Sequence, residues 1–231
     1  MRDLICVTGI VLKSSDYAEY DRRITLLTHD RGKITVFVHG ARRSGNAFMA
    51  STEPFVFGDF FITEGKSAYN MQKADISNYF EELRGDLEGF YLGSYILEVA
   101  DYYSRENNDE LELLKLVYQS TKQLRERTML NLDTPLKAVV SGKFSRKLIK
   151  AVFQIKSVVV NGEFPGVPAD IKVRDGTKHA VEHVVNSSIE RLYTFTLTEE
   201  VLKEFSDLSD RIMAKVIPRR FKSLEVYGRL L

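Results

Sequence analysis

The first 80 residues carry five short runs rich in β-branched and aromatic side chains, and beyond them the hydrophobic period changes. The runs are "ICVTGIVL", "RITLLT", "KITVFVH", "EPFVFGDFFIT" and "SAYNMQKADI", with turn material such as "HDRG" and "ARRSGN" between them. So few short strands would leave open edges in a sandwich, so the pattern predicts a small closed barrel. Pro54, which has no ladder donor, fits a strand start. After residue 80, "DLEGFYLGSYILEVADYYS" and "DELELLKLVYQSTKQL" repeat apolar residues at three and four, the period of helices. Thr134 and Pro135 read as the cap and first position of a helix through "LKAVVSGKFSRKLIKAVFQIKSVVV". Thr196 with Glu199 reads as a capping box before "EEVLKEFSDLSDRIMAKVI", which Pro218 stops. The expected class is α+β, a five-stranded barrel over residues 1–80 followed by an α-helical domain over 81–231.

Charge is segregated along a chain whose formal net charge is only +1. Residues 80–112 hold ten acidic side chains against two basic ones, whereas residues 137–158 hold six basic side chains and no acid. The last 21 residues add six basic side chains against Glu225 alone. Such a chain presents a basic face to a polyanion, unless the acidic segment neutralises it across the fold. The single cysteine, Cys6, reads as a buried thiol of a reducing compartment. Asp3 and the broken apolar stretch near the N-terminus do not suit a signal peptide, and no run approaches a membrane span, so a soluble cytoplasmic protein is expected.

Two strings imitate catalytic motifs. "GKS" at Gly65–Ser67 ends like a phosphate-binding loop, but Phe60 stands where the first glycine belongs. "HAVEH", His179 to His183, has the spacing of a zinc hydrolase, yet the sequence indicates no third ligand, and two histidines on a short surface helix explain it as well. No nucleophile triad, carboxylate pair or glycine-rich cofactor fingerprint stands out, so no enzyme, no cofactor and no metal are expected.

The order of elements, with "GIVLKSSDYAEYDRRITLLTHDRGKITVFVHGARR" (Gly9–Arg43), "EPF" (Glu53–Phe55), "FQIKSVVVNGEFP" (Phe153–Pro165), "LYTFTLTEEVLKEF" and "RRFKSLEVY", resembles the RecO family of bacterial DNA-repair and recombination mediators. The resemblance implies an OB-type barrel, a helical domain and a four-cysteine zinc module. Here residues 162–191 form a shortened, cysteine-free counterpart, so zinc binding does not carry over. It further implies binding of single- and double-stranded DNA, annealing of complementary strands, and loading of RecA together with RecR. The tail of single-stranded DNA-binding protein is an implied partner of the helical part. A nucleoid-associated place in the cytoplasm follows from that role.

In a barrel of this type, Arg22, Arg23, Arg31, Lys33, His39, Arg42 and Arg43 are the candidate DNA-binding residues, with Gly32 and Gly40 permitting close backbone approach. Arg23 stands where the family is usually apolar, and His39 where it is usually basic. Tyr20, Phe37 and Phe48 are candidate stacking rings, although Phe37, in an alternating apolar strand, also reads as core. Lys143, Phe144, Arg146, Lys147 and Lys150, with Arg219, Arg220 and Lys222, form a candidate partner-peptide or second DNA surface. The rival readings are an adaptor with secondary DNA contact and a zinc hydrolase built on "HAVEH".

Overall fold

The computed structural model describes residues 3–130, 145–168 and 170–230. Five strands close the barrel: β1 Leu4–Tyr17, β2 Asp21–Thr28, β3 Gly32–Val38, β4 Phe57–Glu64 and β5 Tyr69–Asn78. Their order around it is β1-β2-β3-β5-β4, antiparallel throughout except where β3 meets β5. Period-two alternation decides what lies inside. Ile24 and Leu26 on β2, Ile34, Val36 and Val38 on β3, and Phe60 and Ile62 on β4 point inward with Val7, Val11 and Met71. A one-turn helix between β3 and β4, α1 (Phe48–Ser51), sets Phe48 against this core.

Two sequence expectations fail in the barrel. The fourth strand starts at Phe57, because Phe55 is buried at φ 75 and turns the chain after Pro54. Cys6 is exposed: Val7 takes the inward position on β1, so its neighbour faces out.

The described chain divides into two compact units, Met1–Glu81 with Leu97–Tyr118, and Glu82–Ile96 with Gln119–Leu231. The helices after the barrel are α2 (Leu87–Tyr103), α3 (Leu111–Thr128), α4 (Arg146–Val160), α5 (Asp175–Asn186), α6 (Glu199–Val216) and α7 (Lys222–Leu230). In the first unit, Asp101 binds Lys13 at 2.7 Å and Lys33 at 3.2 Å, tying the end of α2 to two strands. Tyr118 stacks at 4.4 Å on Phe57.

In the second unit, α4 is buried on nearly all sides, the arrangement expected of an apolar helix at the centre of a bundle. The buried polar residues of its middle are satisfied internally. Gln154 bonds Tyr95, Asp210 and Ser209, and Lys156 donates to the carbonyls of Val185 and Ser187. The expected cap at Thr134–Pro135 lies outside the described residues; α4 itself starts after Ser145. The cap of α6 is Thr198, whose hydroxyl accepts from the Val201 N–H, rather than Thr196, and the helix ends two residues before Pro218.

Candidate nucleic-acid interface

The inward residues of β2 and β3 leave Arg23, Thr25, Lys33, Thr35 and Phe37 on the outer face. Register sets Arg23 opposite Phe37 on one side and Ser15 on the other, and aligns Lys13, Thr25 and Thr35 in the next row. Tyr17 closes the patch, its ring 4.7 Å from that of Phe37 and 48% of its surface exposed. Arg23 is exposed and, among the described residues, has no acidic side chain within ion-pair distance. Two rings and a free guanidinium therefore share one side of a rigid sheet.

The end of this sheet is built by the turn after β3. Gly40 takes φ 66, a left-handed conformation costly for other residues, and Arg42 N–H reaches back to the Tyr20 carbonyl at 2.9 Å. Asp21 accepts from Gly40 N–H at 2.8 Å and contacts His39 Nδ1 at 2.7 Å. The Gly40 N–H first, and His39 second, hold its carboxyl below the usual carboxylate range. Arg43 lies 5.1 Å over the Tyr20 ring, and Arg42 reaches Asp16 at 3.2 Å and the Glu19 carbonyl at 3.1 Å.

The remaining candidates of the rim serve the fold. Arg22 faces the barrel end, where Glu53 at 2.5 Å, Thr52 at 2.9 Å and the Met49 carbonyl at 3.2 Å take its guanidinium. Lys33 is held by Asp101, and Arg31 by Tyr69 and Glu64. Gly32, at φ 61, lies so near residue 105 that a Cβ there would meet the Arg105 carbonyl oxygen at 1.9 Å. Lys33 N–H to that carbonyl and Asn107 N–H to the Arg31 carbonyl seal the β2–β3 turn against the segment after α2. Its glycine serves close approach, as expected, but to this chain's own backbone.

The rings sort differently from the sequence reading. Phe37 is on the outer face rather than in the core, Tyr20 is exposed, and Phe48 is half-buried against the barrel interior. Tyr17 was missed, although it follows Ser15 and Lys13 at the spacing of one strand face.

In the second unit, Lys143 and Phe144 lie outside the described residues. The expected basic stripe is not a free surface. Arg146 pairs with Asp86 and with Glu88 at 3.0 Å, and Lys150 with Asp210 at 2.8 Å, so among its described members only Lys147 is exposed. Here the acidic segment neutralises Arg146, while Lys150 is neutralised by Asp210 of α6. Arg219, Arg220 and Lys222 are exposed, and Arg219 and Arg220 border a cavity of about 450 Å³ that Lys150 also lines, floored by Tyr95, Ile217, Phe221 and Leu224. Phe153, the ring of α4 that could otherwise have served such a pocket, is fully buried.

The motif look-alikes resolve locally. Gly65–Ser67 is the β4–β5 turn, closed by Gly65 N–H to the Ala68 carbonyl at 2.8 Å. His179 is exposed on α5, whereas His183 turns to the Arg191 carbonyl at 3.3 Å and the Phe195 ring. Among the described residues, no three His, Cys, Asp or Glu side chains stand together as a metal ion requires.

A closed barrel in this strand order, with a helix between β3 and β4 and an outer face carrying rings and cations, defines an OB-fold protein with an added helical part. The family model for the N-terminal part of recombination protein O matches residues 1–80. DNA repair protein RecO of Clostridium perfringens (strain 13 / Type A) is 26% identical over 233 residues, 94% of this chain and 95% of that protein. Its counterpart in Clostridium novyi (strain NT) is 25% identical over 96% of this chain and 93% of its own. That of Bacillus subtilis (strain 168) is 28% identical over 74% and 62% respectively. The chain belongs to the RecO family.

Proposed function

We propose that this protein works in DNA repair without catalysing a reaction, in the cytoplasm on the nucleoid, by holding DNA through its backbone. The relatives' shared name, DNA repair protein RecO, supports the repair role. The observation that carries the DNA reading is the outer β2–β3 face, where Arg23, Phe37 and Tyr17 meet, with Arg43 over Tyr20 at its end. In OB folds this face and its adjoining loops take oligonucleotides, rings stacking bases and cations meeting phosphates. Phosphate contacts carry no sequence information, so single- and double-stranded DNA are both ligands and salt weakens both. Neutralising two strands on one surface lowers their repulsion and lets base pairing anneal them. With RecR as partner, this activity assists RecA loading.

The test is titration of unrelated oligonucleotides against the Arg23→Ala/Phe37→Ala and Arg42→Ala/Arg43→Ala variants. Both pairs are expected to weaken binding by similar factors on every sequence. A loss confined to one sequence, or unchanged affinity in both variants, contradicts the assignment.

The cavity beside Phe221 supports a second, adaptor activity. Its apolar floor and basic rim suit the acidic, apolar tail of single-stranded DNA-binding protein. Lys150 is a poor probe, since reversing it sets a carboxylate beside Asp210. Arg219→Glu with Arg220→Glu is expected to weaken binding of that tail peptide more than binding of naked DNA. The reverse order of losses would assign this rim to the DNA path.

A further inference from the structure

The second unit holds another cavity, of about 350 Å³, at the start of α4. Five basic side chains line it against two acidic ones, Glu88 and Glu199. Arg146 and Lys150 are matched by Asp86, Glu88 and Asp210. Arg127, Lys147 and Lys203 are not: among the described residues none has a carboxylate within ion-pair distance. Among the described residues, Arg146 Nε is buried with no acceptor, and Ser145 at the head of α4 gives the first-turn N–H groups no side-chain cap. Tyr227 adds a buried hydroxyl, which burial keeps protonated, with its pKa pushed up to about 12. Burial and, after it, the neighbouring Arg146 push the Arg127 guanidinium below its usual range, and the opposing pull of Asp86 and Glu88 only partly offsets them.

These features ask for an anion with several acceptor oxygens. A duplex or a running strand needs an extended groove, whereas a cavity of this size holds about one nucleotide. We infer that the cavity bounded by Arg127, Arg146, Lys147, Lys203 and Tyr227 binds a phosphate monoester, either a free mononucleotide or the 5′-phosphate of a strand end. A monoester presents two negative charges and three acceptor oxygens, where a backbone diester presents one charge and two. This site shares no residue with the barrel face, and its test does not depend on that reading.

The experiment measures melting of the full chain as chloride is replaced, at equal ionic strength, by inorganic phosphate or a 5′-mononucleotide. Wild type is expected to gain several degrees at millimolar ligand, and Arg127→Gln and Lys147→Gln to gain none. No gain in wild type, or an equal gain in both variants, overturns the proposal. Lys147 is exposed, so its variant decides the matter if Arg127→Gln does not fold. Short oligonucleotides with 5′-phosphate and 5′-hydroxyl ends separate the two sources. A preference of about five- to tenfold for the phosphate, lost in Lys147→Gln, assigns the strand end. Equal binding of the two, with the mononucleotide gain retained, assigns the free ligand.

Discussion

Arg22 and Arg23 are adjacent and chemically identical, and their fates diverge because a strand sends successive side chains to opposite sides. Ile24 and Leu26 point inward, so Arg22 shares their parity at the barrel end and finds Glu53, while Arg23 stands outside. Arg22→Ala is expected to cost about 1–3 kcal/mol by stranding Glu53 and Thr52, read as a melting point several degrees lower, with DNA affinity of the folded protein retained. Arg23→Ala is expected to leave melting unchanged and weaken DNA binding; a melting loss equal to that of Arg22→Ala would refute the distinction. Strand parity was legible in "RRITLL" and "KITVFV", and read strictly it would have placed Phe37 and Cys6 outside as well. The acids that claim Arg22 and Lys33 lie 31 and 68 residues away, and nothing in a local pattern records such a pairing.

At the scale of elements, the β2–β3 turn is locked to the segment after α2, and both of its devices are testable. Gly32→Ala forces a left-handed backbone on a residue with a Cβ, at roughly 1–2 kcal/mol, and drives that Cβ into the Arg105 carbonyl. A clear fall in melting temperature is expected, and an unchanged one would mean that the turn does not dock there. Asp101 is the second device. Burial alone would raise its carboxyl, but hydrogen bonds and charge from Lys13 and Lys33 outweigh this and leave it below the usual carboxylate range. The unfolded chain therefore binds the proton more readily, so the stability Asp101 contributes is complete above its unfolded value near pH 4 and is lost as pH falls through its lower folded value. Melting followed from neutral pH into acid is expected to show that loss, and Asp101→Asn to start lower at neutral pH and fall less steeply. Parallel acid curves would contradict the clamp. The barrel itself was legible, because five alternating runs leave few other closed arrangements, whereas the seat of its turn was not.

Over the whole molecule the net charge is set by composition, and much of the basic charge is taken up by acids within the same unit. In the first, Asp101 takes Lys13 and Lys33; in the second, Asp86 and Glu88 take Arg146, and Asp210 takes Lys150. The count of basic residues thus overstates the charge offered to a polyanion, and on the barrel face Arg23 and Arg43 have no acidic partner among the described residues, where the sequence offered seven candidates. The most direct measurement is the dependence of single-stranded DNA affinity on salt, compared among wild type, Arg22→Ala and Arg23→Ala/Arg43→Ala. Each phosphate contact contributes about 0.7 to the slope of log affinity against log salt, so the double variant is expected to lose roughly 1.4 of slope and Arg22→Ala none. An unchanged slope in the double variant, or an equal loss in Arg22→Ala, would contradict the assignment of the β2–β3 face as the DNA-binding surface.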